Sequence, residues 1–373
     1  MENCDALIIG GGPAGSTCAG ALTRHGLDVL VLDRKAFPRD KVCAGWITPA
    51  VLDSLQLDAA DYAAGRVLQP FTGFRTGMIA GDEVETRYQR NVGYGIRRCE
   101  FDHYLLQRCG ARLRLGEPLS SLERRGDGWM VNGDIETPLL IGAGGHFCPV
   151  ARFLGAQSCT PESVVAAKEV EFAMDAAQAQ GCSVQPETPE LFFCRDLKGY
   201  GWCVRKGSYL NIGVGRKDRH RLSEHLDAFR DFLRHRGKIP AGIPDRFHGH
   251  AYLLHGHGVR RFFDDGVLLV GDAAGLAYPE SGEGIRPAVE SALMAAATLV
   301  EAAGDYRQQR LAPYQRRLQA RLGPAKPTEN RQWAGEVLKR IIGGKLLSSA
   351  WFTRHVVLDR WFLHARQGAL RAS

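Results

Sequence analysis

Asp5-Ala6-Leu7-Ile8-Ile9 runs directly into Gly10-Gly11-Gly12-Pro13-Ala14-Gly15, and the next apolar run, Val29-Leu30-Val31-Leu32, ends on Asp33 and Arg34. The pattern is a strand, a glycine turn, a helix and a second strand. Glycines at 10, 12 and 15, with Pro13 and Ala14 between them, allow a tight turn, close approach to a pyrophosphate and packing of the helix onto the strand. The helix N-terminus then faces the phosphates. Asp33 is placed to accept hydrogen bonds from an adenosine ribose, and its charge would repel a 2′-phosphate. A lone GxGxxG says little. Here the strand, the helix and the terminal acid fall within about 30 residues, and together they read as a dinucleotide site.

Which dinucleotide is decided by a second glycine turn. Val267-Leu268-Leu269-Val270 leads into Gly271-Asp272-Ala273-Ala274-Gly275, then Pro279-Glu280-Ser281-Gly282-Glu283-Gly284-Ile285 and a long Ala-rich segment. The strand offers the Asp272 carboxylate, suited to ribityl hydroxyls. The helix opening near Gly282, Gly284 and Ile285 offers free N–H groups and a positive partial charge, suited to the N1–C2=O edge of a reduced isoalloxazine. FAD is therefore the expected cofactor.

Three motifs carry a resemblance to a known family: GGGPAG with Asp33, Arg98-x-x-Phe101-Asp102-x-x-Leu105, and GDAAG followed by PESGEGI. The chain resembles the FAD-dependent oxidoreductases that include the geranylgeranyl reductases and, more distantly, the p-hydroxybenzoate hydroxylase-type monooxygenases. The resemblance implies that Arg98 lies near the FAD. Taken alone, RxxFDxxL is also an ordinary helix start with an acid in its first turn. Two further stretches are similar to the reductase branch: Lys41-Val42-Cys43-Ala44-Gly45-Trp46 to its Cys-x-Gly-Gly segment beside the flavin, and Tyr200-Gly201-Trp202-Cys203-Val204-Arg205 to its substrate-cavity strand. This implies that Cys43, Trp46, Tyr200 and Trp202 face the flavin or the substrate cavity. Both stretches depart from the family pattern, with Trp46 in place of a glycine and Val204-Arg205 in place of Phe-Pro. A third departure is Ala143-Gly144-Gly145, where the wider group carries Ala-Asp-Gly.

The 373 residues are 45% hydrophobic, enough for a large core and more than one domain. The motif positions imply an α/β fold. A discontinuous Rossmann-like FAD-binding domain (1–70, 95–165 and 260–304) is interrupted by a mostly antiparallel β-sheet substrate domain of α+β character (71–94 and 166–259), and a C-terminal helical tail (305–373) follows. The runs Lys168–Phe172, Leu191–Phe193, Tyr200–Val204 and Tyr209–Val214 read as strands of the substrate sheet. The chain enters an apolar strand within five residues, so no signal peptide is expected, and no run of about 18 apolar residues occurs. Ten cysteines without a CxxC pair read as buried thiols in a reducing cytoplasm, and they exclude a dithiol flavoenzyme. With no second GxGxxG, NAD(P)H is expected to act as a transient electron donor without a Rossmann domain of its own.

Residues 305–373 hold 14 Lys/Arg against 4 Asp/Glu, interleaved with Trp333, Ile341, Ile342, Trp351, Trp361 and Phe362. Two readings stand: helices that close one side of the substrate cavity, or a basic amphipathic surface lying against the inner face of a membrane. No nucleic-acid-binding module accompanies the charge. His248-x-His250 and His255-x-His257 have strand-like spacing but few neighbouring ligands, so a glycine-interrupted loop is expected there and no metal. The leading expectation is reduction of C=C bonds in an apolar, isoprenoid- or polyene-like substrate. The alternatives are an FAD-dependent monooxygenase acting on an aromatic or polyketide-like ring with NAD(P)H and O2, and a flavoprotein electron carrier or sensor.

Overall fold

Ala6–Ile9, the strand before the first glycine turn, lies inside a six-stranded sheet ordered Phe263–Asp264, Val267–Leu269, Leu140–Gly142, Ala6–Ile9, Val29–Asp33, Arg112–Leu115. Every pairing is parallel except that of the short edge strand Phe263–Asp264. The central strands are buried along their whole length, which is why they read as unbroken apolar runs without alternation. Helices Pro13–Arg24 and Ile285–Ala302 pack against one another and are buried along most of their length. Gly15 makes the first turn possible: a Cβ there would lie 1.8 Å from the carbonyl oxygen of Gly10. The computed structural model describes residues 1–156, 164–217, 221–256, 261–324 and 344–371. His257, Trp333, Ile341 and Ile342, all named above, and Cys159, one of the ten cysteines, lie outside the described residues.

A second, seven-stranded sheet is ordered His248–Leu253, Val164–Ala173, Tyr209–Arg216, Gly199–Lys206, Glu190–Phe193, Gly73–Met78, Glu83–Arg87. It is antiparallel except where Glu190–Phe193 runs parallel to Gly73–Met78. All four strand runs read from the sequence belong to it. His248–Leu253 corrects the loop expectation: despite Gly249 it is an edge strand paired with Val164–Glu169. Side chains alternate between two apolar clusters, as the two-residue period of a strand requires. Phe192, Cys203 and Ile212 point toward helix Leu222–His235, and Leu191, Trp202 and Val204 point to the other face. Two small sheets complete the molecule, one joining Trp46–Ile47, Gly93–Ile96 and Leu68–Phe71, the other joining Glu2–Asn3 to strands between Leu122 and Thr137.

The C-terminal segment, helical over Ala350–Phe352 and Thr353–Phe362, docks on this second face of the seven-stranded sheet. Phe362 is fully buried, with its ring 5.8 Å from Trp46, 5.3 Å from Tyr200 and 6.4 Å from Phe193. Val357, Leu358 and Leu363 join the same cluster. Polar contacts fix the register: the Tyr88 hydroxyl donates to Asp359, the Arg286 guanidinium donates to the carbonyls of Gln367 and Gly368, and the Leu370 N–H donates to Ser54. The tail therefore shares the core of the chain. Truncating a buried phenylalanine costs about 3–5 kcal/mol. Phe362→Ala is accordingly expected to lower the unfolding free energy, measured by denaturant titration, by that amount, and an unchanged midpoint would show that the tail adds nothing to the core.

Candidate functional site

The C-terminal ends of Ala6–Ile9, Val29–Asp33, Leu140–Gly142 and Val267–Leu269 open into one cavity of about 900 Å³, which extends to the inner face of the seven-stranded sheet. Crevices of open parallel sheets bind ligands at this edge. Gly10, Gly12, Pro13, Ala14, Asp33, Arg34, Arg98, Asp272, Gly282, Gly284 and Ile285 all line the cavity, as do Cys43, Trp46, Tyr200 and Trp202. Gly15 and Gly271 do not. Gly15 lets the helix approach the strand, and Gly271 sits between Ala14 and Ala288, where a Cβ would lie 3.0–3.2 Å from theirs.

The backbone turn and Asp33 are locked together. The Gly11 N–H donates to Asp33 Oδ2 at 2.7 Å and the Lys35 N–H donates to Oδ1 at 2.8 Å. Each oxygen keeps further acceptor capacity facing the cavity. A Cβ on Gly12 would meet nothing closer than Arg39 Nη2 at 3.4 Å, so the turn presents bare backbone N–H groups with a guanidinium beside them. Arg39 in turn is paired with the fully buried Asp102 at 3.2 Å, and Arg98 grips the same carboxylate with bonds of 2.8 and 2.9 Å. Asp102 thus serves as the counterion that aims two arginines at the cavity.

Asp272 lies in a cationic corner. The His250 ring is 4.0 Å away, and Lys41 Nζ lies 2.6 Å from His250 Nε2. Burial alone would raise the Asp272 carboxyl, but His250, Lys41 and Arg98 outweigh it and hold the group below its ordinary range. Burial pushes the Lys41 ammonium down to about 8, with Arg98 and Arg39 acting in the same sense and Asp272 opposing them. Burial likewise lowers His250. Gly284 caps the following helix, and a side chain at that position would stand 3.1 Å from Asp272 Oδ1.

The loop that carries Cys43 is gripped from behind. Asn211 donates to the Cys43 carbonyl at 3.1 Å, Lys206 Nζ donates to the Ala44 carbonyl at 3.1 Å, and the Ile96 N–H donates to the Gly45 carbonyl at 2.7 Å. Gly45 has φ +67°, and a Cβ there would strike both the Ile96 carbonyl and Lys206 Nζ at 2.4 Å. Trp202 Nε1 donates to Asn211, which fixes the indole in the wall, and Tyr200 donates its hydroxyl proton to the Ser281 carbonyl at 2.6 Å. Sequence reasoning placed Lys41 in the stretch beside the flavin and quoted Glu283 within PESGEGI without a role, and it missed Arg39, His250 and Tyr252 as wall residues. Only the strand-like His248-x-His250 spacing hinted at one of them.

The N–H groups of the turn, the Asp33 carboxylate and the carboxylate–helix pair at Asp272 and Gly284 have the donor and acceptor character that a dinucleotide carrying a ribityl chain requires. Comparison with known proteins agrees. A family model described as an FAD binding domain matches residues 3–323. Digeranylgeranylglycerophospholipid reductase of Methanocaldococcus jannaschii is 24% identical over 332 residues, 84% of this chain and 81% of the relative. Digeranylgeranylglycerophospholipid reductase 2 of Methanothermobacter thermautotrophicus is 29% identical, covering 80% of this chain and 78% of its own. Among solved structures, a geranylgeranyl bacteriochlorophyll reductase-like protein of Thermoplasma acidophilum superposes with a TM-score of 0.75 at 21% identity, covering 100% of this chain and 94% of that one. The P. aeruginosa protein PqsL, in complex with 2-aminobenzoylacetate, shares the fold with a TM-score of 0.66 at 19% identity, covering 87% and 92%. The chain belongs to the FAD binding domain family and is an FAD-dependent oxidoreductase, similar in sequence to the archaeal lipid reductases named above.

Proposed function

We propose that this oxidoreductase saturates C=C bonds of an apolar, isoprenoid- or polyene-like substrate, using reduced FAD as the hydride source and NAD(P)H as the transient donor that reduces it. The supporting observation is the wall beyond the dinucleotide groove, where Trp46, Ala167, Tyr200, Trp202 and Tyr252 face the cavity and Trp46, Ala167 and Trp202 are nearly sealed from water. Such a surface desolvates an alkene and holds it by dispersion alone. In this reading FAD supplies a two-electron hydride when bound. Gly10, Gly12 and Arg39 hold its pyrophosphate, Asp33 its ribose and Asp272 its ribityl chain, while the start of helix Ile285–Ala302 favours the charged edge of its ring. Cys43 and Trp46 form the wall on the reacting side, and Asn211 and Lys206 keep that wall still. The curated relatives named as lipid reductases support this choice.

A second reading, hydroxylation of an aromatic ring with NAD(P)H and O2, is favoured by the ring-lined enclosure, in which Tyr200 and Trp202 lie 6.1 Å apart. NAD(P)H consumption in air separates the two. A reductase is expected to reoxidise slowly without an alkene and to return a saturated product. Fast turnover stimulated by a phenolic compound, with peroxide release, would favour the hydroxylase.

Peripheral membrane contact through the tail is part of the proposal in a minor role. Trp351 and Leu346 are exposed, as are the basic residues Lys345, Arg354, Arg360 and Arg366, whereas Leu347, Val357, Leu358, Phe362 and Leu363 are buried in the core. Among the described residues no helix is long and apolar enough to cross a membrane. Attraction to an anionic surface contributes about 1 kcal/mol per basic residue and weakens with salt. Cosedimentation with phosphatidylserine vesicles is expected to be weak and abolished by high salt; tight, salt-resistant binding would contradict this minor role.

Loss of a charged hydrogen bond costs roughly 1.5–3 kcal/mol, which corresponds to a factor of about 10 to 150 in affinity. Asp272→Ala is therefore expected to weaken FAD binding by that factor, measured by fluorescence titration of the stripped protein. Unchanged affinity in a folded variant would remove Asp272 from the site.

A further inference from the structure

Tyr252 is paired in register with Val165 on the edge strand His248–Leu253, and its half-buried ring lines the cavity. Its hydroxyl presses on Gly282: a Cβ added at that glycine would lie 2.4 Å from the Tyr252 oxygen. Gly282 also has φ +72°, so both the backbone and the neighbouring phenol exclude a side chain there. The hydroxyl therefore stands at the turn that opens helix Ile285–Ala302. It makes no hydrogen bond among the described residues, yet it is not one of the polar atoms sealed off from solvent, so its free side is the cavity. The phenol of Tyr200 differs, for its proton goes to the Ser281 carbonyl at 2.6 Å. His250, two residues earlier on the same face of the strand, lies with its ring 6.3 Å from that of Tyr252 and is engaged by Lys41. The ionisable groups that act on the Tyr252 phenol are Asp272 and Cys43, both cavity residues, and together with burial, the larger effect, they hold it above its ordinary range. It keeps its proton at every working pH and has one O–H to give.

In the placement proposed above, Asp272 holds the ribityl chain and the opening of helix Ile285–Ala302 meets the charged edge of the flavin ring. Tyr252 borders both. We propose that the Tyr252 hydroxyl donates a hydrogen bond to the N1–C2=O edge of the flavin and favours the reduced ring, whose negative charge that edge carries. This deepens the placement of FAD and rests on it, and it holds for a reductase and a hydroxylase alike. The physical reason is a difference between two states of the ring. A hydrogen bond to a charged acceptor is about twice as strong as one between neutral groups, so the reduced ring gains more from the same hydroxyl than the oxidised ring does. Tyr252 thereby raises the midpoint potential of the bound cofactor, acting in the same sense as the helix N-terminus beside it.

The test compares the full-length wild type with Tyr252→Phe, which keeps the ring and removes only the hydroxyl. Affinity for oxidised FAD is read by fluorescence titration of the stripped protein, and the two-electron midpoint potential by equilibration of the FAD-loaded protein with a reference dye. Loss of a bond to a neutral acceptor is expected to weaken oxidised FAD about 2- to 13-fold, and loss of a bond to a charged one to weaken reduced FAD about 13- to 150-fold. The difference between the two, about 5- to 13-fold, lowers the potential by about 20 to 33 mV, at about 30 mV per tenfold change for two electrons. A purely structural part for Tyr252 would weaken both forms alike and leave the potential unmoved, which would overturn the proposal. The reserve, should the phenylalanine variant not load FAD, is 3-fluorotyrosine in place of Tyr252, a stronger donor of nearly the same shape. It is expected to raise the potential, and an unmoved or lowered value would overturn the proposal equally. An unchanged potential in Tyr252→Phe while Asp272→Ala loses FAD would remove Tyr252 alone. Retention of FAD by Asp272→Ala together with that unchanged potential would overturn the placement of the cofactor, and the part of Tyr252 with it.

Discussion

Lys206 has no exposed surface, and its ammonium makes three bonds: to the Ile96 carbonyl at 3.0 Å, to the Ala44 carbonyl at 3.1 Å and to Glu171 at 2.5 Å. These partners come from three separate stretches of chain: the strand Val164–Ala173, the strand Gly93–Ile96, and the loop that carries Cys43. A buried ammonium left without its carboxylate costs about 3–5 kcal/mol, so the three elements are held in one arrangement. Asn211 extends the constraint. Its amide touches the Cys43 carbonyl, Glu169 and Glu171, and its oxygen holds Trp202. The two glutamates are driven apart. Burial pushes Glu169 up to about 8, whereas at Glu171 the effect of burial is outweighed by Lys206 and Asn211, which hold it below its ordinary range. The pair therefore carries about one negative charge at neutral pH. With Arg97, which reaches Glu171 at 3.3 Å and Glu100 at 2.8 Å, the cluster sets two cations, Lys206 and Arg97, against two carboxylates, Glu171 and Glu100, and the wall behind the reacting side is electrically balanced.

That balance explains how an apolar cavity can border a charged one. The dinucleotide half of the cavity is lined by Arg39, Arg98, Lys41 and His250 around two carboxylates, Asp102 and Asp272. The other half presents aromatic rings. The loop Lys41–Trp46 runs between the two halves: its first residue belongs to the charged corner and its last packs edge-on against Phe74 and Phe362. Trp46 stands where the family pattern has a glycine, and the indole fills space that the tail then closes from the far side. The departure from pattern and the docking of the C-terminal segment are thus two parts of one wall.

The parts legible in the sequence were those whose physics is local. The glycine turn needs residues without a Cβ at fixed spacing, and the doubly buried parallel strands need unbroken apolar runs, so both left signatures within a few residues of Gly10 and Gly271. The seven-stranded sheet was legible through its β-rich runs, but the parallel pairing of Glu190–Phe193 with Gly73–Met78 joins segments more than 100 residues apart and leaves no local trace. His248–Leu253 was read as a loop because of Gly249, a residue that an edge strand tolerates. The strand Leu122–Arg125 carries charges along exposed positions, which hides its alternation.

The site residues that escaped notice share a different cause. Lys206, Asn211, Glu169 and Glu171 alternate correctly for strands whose polar side chains would ordinarily meet water, and nothing in their spacing shows that this face is covered by a loop from residue 43 and a helix from residue 353. Arg39 is an ordinary surface residue until Asp102, some 60 positions away, supplies its partner. Glu283 is the converse case. Its motif was visible, yet the backbone N–H groups around it gave a sufficient reason for the glycines, and only the packed structure shows that both Glu283 carboxyl oxygens are buried without a hydrogen-bond partner among the described residues. Sequence patterns register what a residue permits the backbone to do; what a side chain lacks becomes visible only when every neighbour is in place.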